Sequence, residues 1–370
     1  MTGSALDPLL APFSAAGLTL TNRFVMAPMT RWHSPGQVPG EEVAAYYARR
    51  AAGGVGLIVT EGTTIDHPVA SYSERVPAFH GEALAGWRRV AEAVHAAGGK
   101  IVPQLWHVGA MRNPKQDLPN PELPPISPSG RFRPGGPRLA RIMDEGDIAA
   151  VVEGFARAAA AARELGFDGV EIHGAHGYIL DQFLWDGLND REDEYGGDAV
   201  QRTRFAVAVV AAIRAAVGNG FPIILRISQW KQQDYGARLA ADPEALAALL
   251  APITRAGVDI YHCSQRRWAI PEFAGSPMNL AGWVKQLTGK PTITVGSVGL
   301  AGALSTTDIG EAADADDDLA PLARRVAAGE FDLVAVGRAL LADPLWVEKM
   351  KAGKTNMVDR FDRASLDTLS

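Results

Sequence analysis

The sequence predicts a (β/α)8 barrel, and three observations predict it. Short runs such as Val55-Gly56-Leu57-Ile58-Val59-Thr60 are apolar almost without a break, which means burial on both faces, as in a parallel sheet. Each run is followed by a stretch with helical periodicity, and the alternation repeats eight times, which most simply closes a barrel. Nearly every strand ends on a polar group or a glycine, where a barrel keeps its chemistry. An open doubly wound sheet is the competing arrangement. No Gly-x-Gly-x-x-Gly turn follows the first strand, so a dinucleotide-binding fold is poorly supported.

Taken in order, residues 1–20 carry Pro8, Pro12 and Gly17 among short apolar pieces and read as a hairpin capping one end of the body. Residues 23–29 form the first strand, closed by Pro28. A helix over 41–52 ends at Gly53-Gly54; the second strand spans 55–60 and runs into Glu61-Gly62. An amphipathic helix over 82–97 stops at Gly98-Gly99, before the third strand at 100–105. An Ala-rich helix over 147–165 leads to the fourth strand, carried by Phe167, Val170 and Ile172 and ending at His173. Helix then alternates with strand at 199–217 and 222–227, and at 243–255 and 258–262, where Asp242 caps a helix with proline in its first turn. The last units place a helix at 280–287, a strand at 291–295, a helix at 319–328, a strand at 331–336 and a closing helix at 344–350.

Two stretches break the repeat. Residues 106–145 hold seven prolines between Pro119 and Pro137, which rules out a regular helix there. Following the third strand, this insertion is expected to lie over the barrel mouth as a lid or substrate wall. Residues 305–318 are acidic and small, and read as a solvated loop.

The chain has 370 residues, 47% of them apolar, enough for a large core in a single domain over 1–370. A net charge of −6 and no Lys/Arg block argue against a nucleic-acid surface. The single cysteine excludes an internal disulfide and a multi-thiolate cluster. No apolar run reaches transmembrane length and no leader pattern is evident, so a cytoplasmic protein with no membrane contact is the expectation, and a homo-oligomer is left open.

The chemistry concentrates at Val170-Glu171-Ile172-His173-Gly174-Ala175-His176-Gly177-Tyr178. Here a strand ends in a turn that projects two imidazoles and a phenol, all hydrogen-bond donors, and Tyr178 can also release a proton. Gly296-Ser297 and Gly337-Arg338 end the seventh and eighth strands, where barrels commonly bind phosphate through backbone amides and a forked cation. By themselves, Thr30 reads as a strand-end cap, Gly62 as a turn glycine, Gln104 as a satisfied polar group and Arg226 as half of an internal salt bridge. Cys263, with no base in reach, reads as a buried small residue.

The ordered motifs, taken together, resemble the old yellow enzymes, the flavin-dependent ene-reductases. They are Asn22-Arg23-Phe24-Val25-Met26-Ala27-Pro28-Met29-Thr30-Arg31, Val59-Thr60-Glu61-Gly62, Gln104-Leu105-Trp106-His107-Val108-Gly109, Val170-Glu171-Ile172-His173 with Gly177-Tyr178, Asn189-Asp190-Arg191 with Asp193-Glu194-Tyr195-Gly196-Gly197, and Asp332-Leu333-Val334-Ala335-Val336-Gly337-Arg338. The resemblance implies a (β/α)8 barrel holding FMN non-covalently. It places Pro28, Met29 and Thr30 by the flavin ring, with Thr30 toward the O4/N5 edge, and lets backbone approach the ring at Gly62. It puts Gln104 on the pyrimidine amide edge, Arg226 near N1 and O2, and Gly296, Ser297, Gly337 and Arg338 on the ribityl phosphate. His173 and His176 would hold the substrate oxygen, His173 also bordering the flavin, and Tyr178 would protonate the α-carbon. Trp106 would shape the substrate pocket, with Trp230 and Trp268 as further candidates.

The implied reaction uses NADPH or NADH to reduce FMN, which then reduces an enone, enal, maleimide or nitroalkene. Relatives that reduce dienoyl-CoA or demethylate amines add a cysteine cluster and a nucleotide domain; this chain, with one cysteine in 370 residues, is expected to take electrons directly from the dinucleotide. Some members carry cysteine in place of Thr30, and this chain does not. The Gly296-Ser297-Val298-Gly299 turn and the loop over 228–234 depart from the common pattern. Two other readings stand beside this one: a metal-dependent barrel hydrolase or aldolase using His173, His176 and an acid, and a non-catalytic ligand carrier.

Overall fold

The computed structural model describes residues 4–300 and 318–370. The acidic stretch at 305–318 therefore lies outside the described residues, apart from Asp318. The strands are β1 (Phe13–Ala15), β2 (Leu18–Leu20), β3 (Phe24–Met26), β4 (Leu57–Thr64), β5 (Lys100–Trp106), β6 (Ile126–Ser127), β7 (Arg141–Ile142), β8 (Val170–His173), β9 (Ile223–Ser228), β10 (Ile260–Ser264), β11 (Thr292–Val295) and β12 (Leu333–Val336). The α-helices are α1 (Asp7–Leu10), α2 (Glu41–Ala52), α3 (Ala83–Ala96), α4 (Glu145–Glu164), α5 (Ile179–Leu184), α6 (Arg204–Val217), α7 (Pro243–Ala256), α8 (Leu280–Thr288), α9 (Ala320–Ala327), α10 (Arg338–Ala342) and α11 (Trp346–Lys351).

Eight strands close a parallel barrel in the order β3-β4-β5-β8-β9-β10-β11-β12, and β12 pairs back onto β3. The (β/α)8 barrel read from periodicity is the observed fold. Its core is two-sided. One set of alternating residues, including Val25, Leu57, Val59, Val102, Ile224, Ile260, Ile293 and Leu333, fills the barrel together with Phe13, Leu18 and Leu20. Those last three belong to the antiparallel β1–β2 pair, so the expected hairpin cap plugs the N-terminal end. The other set, including Met26, Ile58, Leu105, Ile172, Leu225, Tyr261 and Val336, packs against the helices. Among the described residues no helix is long and apolar enough to cross a membrane.

Local signals explain several boundaries. Asp144 caps α4 through a reciprocal capping box with Asp147. Asp242 accepts the Ala245 N–H at 2.8 Å ahead of Pro243, as the sequence indicated for α7. Two strands run further than their apolar runs. A register shift between Val59 and Gly62 lets β4 continue through Glu61 and Gly62 to Thr64. β10 likewise continues through Cys263 to Ser264, where Cys263 faces the helices and is buried.

Candidate active site

The C-terminal mouth of the barrel opens into a cavity of about 480 Å³. Pro28, Met29, Thr30, Gly62, Gln104, Trp106, His173, His176, Tyr178, Arg226, Gly296, Ser297, Gly337 and Arg338 all line it. Of the site residues singled out from the sequence, all but Trp268 are thus brought together, from strands more than 300 positions apart.

The insertion over 106–145 meets the cavity at its start. Among the described residues only Trp106 of that segment lines the cavity. The insertion is tied to the loop after β4: Arg112 donates from Nε to Ser71 O at 3.2 Å, and Asn120 donates to Pro68 O at 2.9 Å. The walls come from elsewhere, namely Trp32, Tyr72, the loop after β9 (Trp230, Gln232, Tyr235), the loop after β10 (Ser264, Gln265, Arg266) and Leu366. Trp230 is a wall residue, whereas Trp268 lies under the Arg325 guanidinium, 5.5 Å from its ring centre.

The turn after β8 is tightly built. His176 adopts φ +63°, a left-handed conformation uncommon outside glycine. Its N–H donates to Ser228 Oγ at 3.0 Å, and its Nε2 pairs with Ser264 Oγ at 2.8 Å, which leaves Nδ1 for a ligand. His173 Nδ1 accepts the Ala175 N–H at 3.3 Å, so the neutral ring carries its proton on Nε2. Burial, then the charge of Arg226, holds both imidazoles well below the ordinary histidine range, so both are neutral at pH 7. The two rings meet edge to face at 5.1 Å; His173 also stacks on Trp106 at 5.8 Å, and His176 stacks on Trp230 at 4.4 Å.

Tyr178 stands at the start of α5 with its ring 4.7 Å from both His173 and Trp106. Its oxygen accepts from Gln232 Nε2 at 3.1 Å. Burial pushes the phenol up to about 12, so it is a loaded acid across neutral pH. The Tyr72 hydroxyl interacts with those of Thr30 and Tyr178. Tyr72, in an irregular loop, carried no sequence signal, and Gln232 was marked only as part of the atypical loop over 228–234.

The rest of the cavity suits a planar cofactor with a phosphate tail. Gly62 leaves room for Trp106, since a Cβ there would meet the indole at 2.8 Å. Gly296 has φ +149°, and a Cβ would meet Gln265 O at 2.5 Å, so the β10 loop can close over the β11 end only on glycine. Ser297 is left-handed at φ +56°. Arg226 Nε and Arg338 Nη1 are buried without a hydrogen-bond partner among the described residues, as expected of cations awaiting an anionic or carbonyl partner. FMN fits this donor set, which offers buried cations, glycine backbone and a carboxamide to a phosphate and a planar ring. A metal does not: among the described residues no three His, Cys, Asp or Glu side chains gather to hold one. Aromatic rings and serines, rather than an acid, surround His173 and His176.

Residues 8–356 match the model of the NADH:flavin oxidoreductase / NADH oxidase family. The chain is 33% identical over 374 residues to 12-oxophytodienoate reductase 1 of Oryza sativa subsp. japonica, covering all of this chain and 92% of that protein. It is 34% identical over 352 residues to 12-oxophytodienoate reductase 2 of Arabidopsis thaliana, covering 91% and 86%. Among solved structures, morphinone reductase superposes with a TM-score of 0.78 at 28% identity, covering 97% of this chain and 92% of that one. Morphinone reductase in complex with tetrahydroNAD gives 0.79 at 28% identity, covering 97% and 93%.

Proposed function

Because the chain belongs to the NADH:flavin oxidoreductase / NADH oxidase family and is an NAD(P)H-dependent flavin oxidoreductase, we propose a role for each cavity residue in reducing the double bond of an α,β-unsaturated carbonyl or nitro compound. One observation carries the assignment: His173, His176 and Tyr178 converge on the wall of the same cavity that Thr30, Gln104, Arg226 and Arg338 line.

When bound, FMN supplies the hydride, taken from NADPH or NADH and passed to the substrate's β-carbon. Gln104, Arg226, Gly296, Ser297, Gly337 and Arg338 bind it, and Pro28, Met29, Thr30 and Gly62 border its ring. His173 and His176 bind the substrate's carbonyl or nitro oxygen. Two neutral donors aimed at one oxygen stabilise the negative charge that develops on it. Tyr178 then gives its proton to the α-carbon. Its oxygen accepts from Gln232 and meets the Tyr72 hydroxyl, and the phenolic hydrogen turns to substrate when Tyr72 is the donor of that contact. Trp106, Tyr72 and Trp230 limit water and the width of the acceptor. Enones, enals, maleimides and nitroalkenes suit this arrangement, since each offers an oxygen conjugated to the reacting carbon.

A visible absorbance spectrum, followed by anaerobic addition of NADPH or NADH and then cyclohexenone, tests the reading. A flavin spectrum that bleaches and recovers is expected. A protein that neither carries FMN nor can be reconstituted with it overturns the proposal. Recovery with oxygen but not with any enone or nitroalkene overturns the acceptor class alone.

A further inference from the structure

A polar layer runs through one half of the barrel just beneath the cavity, and the mechanism above uses only part of it. Strands alternate inward and outward, and outward Leu105, Ile172, Leu225 and Tyr261 leave Gln104, Glu171, Arg226 and His262 pointing inward from four consecutive strands. On the other strands the inward positions are apolar, Val25, Val59, Val295 and Ala335 among them. Glu171 and His262 are fully buried. An isolated carboxylate at such a place would be costly, yet this one is fully engaged. One oxygen accepts from Gln104 Nε2 at 2.7 Å, and the other pairs with His262 Nδ1 at 2.6 Å. Burial raises the Glu171 carboxyl, but His262, Arg226 and Gln104 outweigh it and hold it below the ordinary range, so it is ionised. Burial likewise holds His262 down, against the pull of Glu171, and its Nδ1 faces that carboxylate as donor.

We infer that Glu171, held by His262, is a positioning residue that orients Gln104 and offsets the charge of Arg226, thereby setting the reduction potential of bound FMN. The inference rests on the FMN reading above. A carboxylate can only accept, so it fixes which end of the Gln104 carboxamide is nitrogen. Gln104 lines the cavity, so the remainder of its carboxamide, an acceptor oxygen and a second N–H, is left for an amide edge. Arg226 lines the cavity with its Nε buried and unpartnered among the described residues, a cation placed to favour negative charge on a reduced ring. The Glu171 charge, one strand away, opposes that preference.

The test is made on the holoprotein, by FMN titration and by redox titration against a reference dye. In Glu171→Gln the ratio of affinities for reduced over oxidised FMN is expected to rise about tenfold, equivalent to a midpoint about 30 mV higher for a two-electron couple. His262→Leu, which removes a donor and favours the protonated carboxyl, should move the midpoint the same way. His262→Asn, which keeps a donor near Nδ1, should restore it toward the wild-type value. If Glu171→Gln does not fold, the two His262 variants decide. A wild-type chain without FMN overturns the functional reading. A wild-type chain that binds FMN, with Glu171→Gln and His262→Leu both at the wild-type midpoint, overturns this inference alone.

Discussion

Lys231 Nζ lies 2.6 Å from Asp181 Oδ1, and both side chains are fully buried. The second Asp181 oxygen accepts the Gly177 N–H at 2.7 Å. The ion pair therefore ties the loop after β9, which carries Trp230 and Gln232, to the turn that carries His176 and Tyr178. Asp181 is raised by burial, against the pull of Lys231, so it depends on that partner for its charge. Lys231→Met strands a buried carboxylate and is expected to lower unfolding stability by about 3–5 kcal/mol in denaturant titration. The double variant Lys231→Met/Asp181→Leu should recover most of the loss; equal destabilisation in the double variant would show that the pair does not act as a unit.

Tyr178→Phe is expected to leave FMN binding intact and slow the reaction of reduced enzyme with an enone by about 10²–10⁴-fold. Stopped-flow reoxidation measures this directly. Because the phenol titrates only at about 12, the wild-type step should show no loss of the acid between pH 6 and 10. Unchanged reoxidation by a slow enone would remove Tyr178 as the acid.

A phenol offers one oxygen to the pair His173 and His176 and serves as a probe of the proposed oxygen site. His176→Ala removes one donor and should weaken phenol binding about 10–100-fold, from about 1.5–3 kcal/mol for a hydrogen bond to a charged group. Ser264→Ala, which removes the partner of Nε2, should weaken it less. Since both imidazoles are held well below the usual range, neither should contribute an inflection near pH 6.5. Wild-type phenol affinity in His176→Ala would exclude it from the site.

Glu61 is buried, accepts the Arg31 N–H at 2.8 Å and is pushed by burial up to about 7. A carboxyl raised on folding binds its proton more tightly in the native state. Its contribution is therefore fully present below the unfolded value near 4.5 and is lost as pH rises through about 7. The loss amounts to about 3 kcal/mol. Glu61→Gln should flatten the stability difference between pH 5 and 8, read as wild type minus variant in urea titrations at each pH. Parallel curves would show that Glu61 does not titrate in that window.

Much of this site was legible before the structure. The helix cap at Asp242, the hairpin plug and the eight strand ends follow from local rules, because hydrogen-bond geometry and side-chain period act over a few residues. His173, His176, Tyr178, Gln104, Arg226 and the two glycine turns were identifiable as ends of apolar strands. Glu171 was not singled out, although it sits in the same motif, because an acid between Val170 and Ile172 looks like an interruption until the barrel shows which face is inside. The course of the insertion at 106–145 was not legible either, because its proximity in sequence to the third strand says nothing about which way it leaves the barrel.

The sequence by itself determined the parallel barrel, its order of strands and the chemical types at the mouth, since periodicity and strand-end polarity are local properties of the chain. Only the tertiary structure decided that Gln232 donates to Tyr178, that Ser264 engages His176, that Lys231 anchors to Asp181, and that Glu171 is shared by Gln104 and His262. Each of these joins residues 50 or more positions apart. Whether such groups meet depends on strand register and on how far each loop bends over the mouth, which no local pattern encodes.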